Sequence, residues 1–149
     1  TIDSMYGSSD STIADWDLPL WMVVSNSNTG DVKVTFPAGL VFGALDPTYE
    51  YMMLLKDFSF TAKGGGITNE VLPTYGCNED SLEQPDDESF YDIGWRENDK
   101  EIQELLDLVA NKALDSLNAV TVAQQALIEI TCDSTGLTDT TRTALKDLH

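Results

Sequence analysis

The apolar residues change period once along the chain, and that change limits the fold more than any other feature. Val32, Val34 and Phe36 alternate with Lys33 and Thr35, and Phe58 and Phe60 alternate with Ser59 and Thr61. This is the two-residue period of a strand with one buried face. Leu18 to Ser25, Val32 to Phe36, Leu40 to Ala44, Met52 to Phe60 and Ile67 to Leu72 read as short β-strands. Asn26-Ser27-Asn28-Thr29-Gly30-Asp31 and Gly64-Gly65-Gly66 supply turn chemistry between them, and Pro37-Ala38-Gly39 ends the second. Five short strands at roughly ten-residue spacing predict an antiparallel sandwich.

From Asn98 the period becomes helical. Asn98 with Glu101 reads as a capping-box start. Ile102, Leu105, Leu106, Val109, Ala113 and Leu117 then share one face. A break is expected over Asn118 to Thr121, with Thr121 and Gln124 restarting a helix whose stripe is Val122, Ala123, Ala126, Leu127 and Ile130. Thr138 is expected to cap a last helix. The fold class predicted is α+β, an antiparallel Ig-like β-sandwich followed by a C-terminal helical subdomain packed on it. The expected divisions are a flexible N-terminal arm (1–14), the sandwich (15–76), an acidic connecting loop (77–97) and the helical subdomain (98–149).

Charge narrows the partners. The 149 residues carry 26 acidic against 8 basic side chains, a formal charge of −18. Such a field repels nucleic-acid phosphates and favours solubility, cations or basic partners; salt adaptation is the simplest origin. No stretch approaches the roughly 18 apolar residues of a membrane span. The acidic loop offers Glu79, Asp80, Asp86 and Asp87 as candidate calcium ligands. It lacks the D-x-D-x-D-G spacing that wraps oxygens around one ion, so a solvated loop is the better reading and no cofactor or metal is expected. Phe90, Tyr91 and Trp95 are expected to pin this loop to the core.

Catalytic signatures are missing. The sequence has no G-x-S-x-G, H-E-x-x-H, Walker A or G-x-G-x-x-G, and its single histidine is His149. The expectation is that the chain is not an enzyme. A carboxylate-based secreted hydrolase, with Asp86 and Asp87 as its acids, is the catalytic alternative.

Three segments resemble secreted bacterial surface modules. Val32-Lys-Val-Thr-Phe-Pro-Ala-Gly-Leu-Val-Phe42 is similar to the V-x-V-x-x-P-A-G-x-x-F strand pair of extracellular Ig-like sandwiches. Leu72-Pro-Thr-Tyr-Gly-Cys-Asn78 resembles the L-x-x-Y-C-x-N strand end of the same proteins. Ala123-Gln-Gln-Ala-Leu-Ile128, followed by Thr131, resembles their helical T-Q-x-A-I-W…T-D segment. In the thioester domains of bacterial surface adhesins, the cysteine of the Y-C-x-N motif bonds to the glutamine of the T-Q motif. The resemblance puts Cys77 and Gln124 in those positions, and it implies a secreted or cell-surface address with a protein partner or self-assembly.

At such an address the two cysteines, Cys77 and Cys132, are expected to pair as a disulfide that ties the strand half to the helical half. Free thiols and the Cys77–Gln124 thioester remain the alternatives. The function expected is a non-catalytic extracellular binding or structural module of a cell-surface or filament assembly. A thioester-type covalent adhesin domain is the alternative.

Overall fold

The computed structural model describes residues 1–7, 20–77, 82–86, 88–133 and 135–149. Among these are nine strands: β1 (Ile2–Gly7), β2 (Leu20–Asn26), β3 (Val32–Phe36), β4 (Leu40–Ala44), β5 (Met52–Leu54), β6 (Phe58–Ala62), β7 (Gly66–Leu72), β8 (Thr74–Gly76) and β9 (Tyr91–Arg96). Three helices follow, α1 (Lys100–Val109), α2 (Leu117–Thr131) and α3 (Asp139–Lys146). The strands form sheets ordered β1-β2-β7, β3-β6 and β8-β5-β4-β9, with every strand pairing antiparallel. The chain is therefore α+β, with antiparallel sheets and a helical C-terminal third.

The four-stranded sheet is the middle layer. Val41, Met53, Leu55 and Tyr75 point to one side and join Ile102, Leu105, Val109, Ala123, Leu127 and Leu145 from the helices. Leu40, Phe42, Met52 and Leu54 point to the other side and meet Met5, Leu20, Met22, Phe36, Phe60 and Leu72 from the remaining strands. This explains Met52-Met53-Leu54-Leu55, all four buried. A strand covered on both faces has no reason to alternate polar with apolar residues.

Each helix begins at a side-chain cap. The carboxylate of Asp99 accepts from the Glu101 amide, the Ser116 hydroxyl from Ala119, and the Thr138 hydroxyl from Thr141. Ala119, Ala123 and Ala126 on the buried face of α2 let its axis come close to β8. Inside the helical layer, the buried Glu129 accepts hydrogen bonds from the Thr138 amide and the Thr141 hydroxyl. Burial works against its charged form, yet these hydrogen bonds hold its carboxyl below the ordinary glutamate range.

Several boundaries differ from the sequence-based expectation. Ile2–Gly7, expected within a flexible arm, is a strand paired to β2; its Met5 side chain reaches the core. Residues 8–14 of that arm lie outside the described residues. The expected strand from Met52 to Phe60 is two strands. Between them the Asp57 carboxylate accepts from the Ala38 amide at 2.7 Å, and the chain passes from the middle sheet to β3. The expected acidic loop ends in β9, hydrogen-bonded to β4. Tyr91 does anchor it, donating to the Glu50 carbonyl at 2.8 Å, while Phe90 and Trp95 stay about half exposed. The first helical segment ends at Val109 and the second starts at Leu117, which is exposed and shares no face with Val109.

Because the helices and the middle sheet share one core, unfolding should be a single transition. Leu127→Ala is expected to cost about 2–5 kcal/mol, the usual penalty for emptying a fully buried leucine site. Denaturant titration followed by far-ultraviolet circular dichroism and by tryptophan fluorescence checks this. Separate midpoints for the two signals would contradict a shared core.

Candidate functional site around Cys77 and Gln124

The resemblance placed two residues together that are far apart in sequence, and the fold brings their segments into contact. The carboxamide of Gln124, on the sheet-facing side of α2, pairs with the Gly76 peptide. Its Nε2 donates to the Gly76 carbonyl at 2.8 Å and its Oε1 accepts from the Gly76 amide at 3.0 Å. Cys77 is the next residue. Its amide donates to the Tyr51 carbonyl at 3.0 Å, and its thiol points at the same oxygen at 3.3 Å.

Gly76 has a steric reason to be glycine. A Cβ there would lie 2.6 Å from a carboxylate oxygen of Glu50, whose side chain is fully buried, so Glu50 would have to shift. Glu50 stands at the head of the apolar run Tyr51 to Leu55, and sequence reasoning passed over it. A lone acid against such a run is the signal that would have found it.

The setting of Cys77 disfavours the thiolate. Burial is the largest influence, the negative charge of Glu50 adds to it, and together they push the thiol up to about 12. A cysteine in this state supplies almost no thiolate at neutral pH, so a free cysteine nucleophile of the hydrolase kind has no support here.

The expected disulfide is not formed: Cys77 and Cys132 are both free thiols. Cys77 is buried at the end of β8. Cys132 is half-buried at the C-cap of α2, with its sulfur beside the Thr131 hydroxyl at 3.6 Å. The two halves of the chain are joined instead by the shared core and by the Gln124–Gly76 pair.

Of the four candidate calcium ligands only Asp86 lies among the described residues. Asp86 is occupied within its own turn, accepting from the Tyr49 hydroxyl and the Glu88 amide while its backbone pairs with Ser89. Glu79, Asp80 and Asp87 lie outside the described residues. Among the described residues no cluster of three or more His, Cys, Asp or Glu is arranged to hold a metal. Among the described residues no helix is long and apolar enough to cross a membrane.

A cleft of about 430 Å³ opens beside Cys77. Val41, Met53, Ile102 and Ile130 line it with apolar surface, Tyr51 and Trp95 form an aromatic wall, and Glu97, Asp99 and Glu101 line it with carboxylates. The aromatic rings meet edge to face, with centroids 5.5 Å apart. The Glu97 amide donates to the Gly39 carbonyl at 2.8 Å, which fixes the β9–α1 junction over the cleft. Gly39 has a φ of 88°, a conformation that favours glycine.

No family model matches the chain, and neither the curated proteins nor the solved structures contain a significant match.

Thiol chemistry gives a direct check. In Gln124→Ala, which cannot form a thioester, a chromogenic disulfide reagent near neutral pH should modify Cys132 at least about tenfold faster than Cys77. Equal rates would contradict the burial of Cys77. The raised thiol also has a pH signature. Below about pH 9 the thiol is protonated in both folded and unfolded chains, and its contribution to stability is fully present. As pH rises toward about 12 the unfolded thiol ionises first, and that contribution is lost. In the same Gln124→Ala background, denaturation midpoints measured between pH 8 and pH 11 should therefore fall more steeply with Cys77 than with Cys77→Ala.

Proposed function

We propose that the chain is a non-catalytic binding module of the surface-adhesin type, with Cys77 and Gln124 as a thioester-forming pair. The observation that carries this reading is the double hydrogen bond between the Gln124 carboxamide and the Gly76 peptide, directly before Cys77. The Gly76 amide, by donating to Oε1, polarises the carbonyl that the sulfur would attack, as an oxyanion-hole donor does. The bond balances simply. The Cys77 sulfur joins the Gln124 side-chain carbonyl carbon, the carbon–nitrogen bond breaks, and the nitrogen leaves as ammonia carrying the thiol proton.

Burial supports the same reading. A thioester exposed to water hydrolyses, whereas one seated beside Met53 and Ile130 in an apolar cleft wall is shielded until a nucleophile enters. The secreted or cell-surface address, the Ig-like arrangement of the strand half and a protein partner belong to this proposal. The absence of a Cys77–Cys132 bond favours it over a disulfide-stapled structural module, because it leaves Cys77 available.

Intact mass is the test. The freshly purified native protein should be lighter by about 17 Da than its sequence mass and should gain methylamine on Gln124. Cys77→Ala and Gln124→Ala should each abolish both effects. Native protein at full sequence mass that takes up no amine would overturn the proposal.

A further inference from the structure

The cleft has a chemical character of its own, independent of any bond between Cys77 and Gln124. Trp95 is about half exposed although it lies on a strand, and its ring rests edge to face with Tyr51. Its indole nitrogen donates to a Glu97 carboxylate oxygen at 3.2 Å, which holds that charge beside the ring. Asp99 is committed to capping α1, but Glu97 and Glu101 bring two further carboxylates to the same cleft. None of the described residues lining it is Lys or Arg.

An apolar floor, an aromatic wall and a carboxylate rim are the three elements that recognise an organic cation. The alkyl part is desolvated against the floor, the charged head lies over the ring face, and the carboxylates offset its charge. The field at the floor has the matching sign, since the charges of Glu50 and Glu97 both act against ionisation of Cys77.

We propose that this cleft is a non-covalent binding site for an alkylammonium group, with Trp95 and Glu97 as the residues that select it. Either a free small cation or a lysine side chain carried by a partner chain presents this chemistry. The site stands whether or not the thioester forms. An alkylammonium whose nitrogen is fully methylated cannot undergo acyl transfer, so its binding reports the cleft alone.

The experiment is a nuclear magnetic resonance titration of the full chain and of Cys77→Ala, following the Trp95 indole and the Ile102 and Ile130 methyl groups. The probes are choline, its neutral isostere 3,3-dimethylbutanol, and Nα-acetyl-lysine N-methylamide, the last added only to Cys77→Ala. Saturable shifts at these three residues are expected with at least one cation, at least about tenfold tighter than with the neutral isostere. Choline alone assigns a free small cation and the lysine derivative alone a peptide-borne one. Trp95→Leu should weaken binding about five- to thirtyfold, with Trp95→Phe restoring part of it. Glu97→Gln should weaken binding and flatten its salt dependence. The proposal is overturned if the neutral isostere binds as well as the cations, if no probe saturates, or if both Trp95→Leu and Glu97→Gln bind like the parent. None of these results bears on the mass shift that tests the thioester.

Discussion

Burial of β8, β5 and β4 in the four-stranded sheet is the constraint on which the rest of the structure depends. A sheet with one wet face needs a single partner layer, whereas this one needs two, and the chain supplies strands for one side and helices for the other. β5 and the residue after it show the requirement most sharply, since Met52 and Leu54 serve one core while Met53 and Leu55 serve the other. Neither layer can be removed without exposing a full apolar face. The position of α2 over β8 is thus a consequence of covering the sheet, and the meeting of Gln124 with Gly76 follows from it.

The same burial sets the chemistry at the site. Cys77 closes the helix-side core and Glu50 is fully buried beside Gly76, so charge at both is poorly solvated. A thiol there stays protonated at neutral pH and supplies little thiolate to solutes. The cleft beside it provides the way in. Its carboxylates come from one short stretch, Glu97 to Glu101, at the junction between β9 and α1. The turn that closes the layer also gathers the charges that define the opening.

Much of the architecture was legible in the sequence where one periodicity governed a long segment. Val32–Phe36, Leu40–Ala44 and the Thr138 cap appear where alternation and capping chemistry put them. The misses have physical causes. β8 is three residues long, too short to show a period, and β9 presents mostly exposed residues after Tyr91, so nothing in its pattern announces a buried face. Ile2–Gly7 carries only Met5 and Gly7 as buried positions among Ser, Asp and Tyr, which reads as a leader. The Cys77–Gln124 neighbourhood was not legible from period or composition. It came from the resemblance of two short motifs, whereas the cleft's aromatic and acidic walls depend on Tyr51, Trp95 and the β9–α1 junction meeting in three dimensions. The expected disulfide rested on cysteine count and address. Both leave out where the thiols sit, one inside the core and one at the end of a helix.

Gly76 ties these levels together. Its peptide is the only part of the residue that takes part in the site, with the amide and the carbonyl both engaged by Gln124. The side where a Cβ would stand is occupied by the buried carboxylate of Glu50, whose own backbone carbonyl is held by Tyr91 of β9. A larger residue would have to displace the Glu50 carboxylate. One hydrogen atom in place of a methyl group therefore leaves room for the buried Glu50 carboxylate beside the backbone that Gln124 engages.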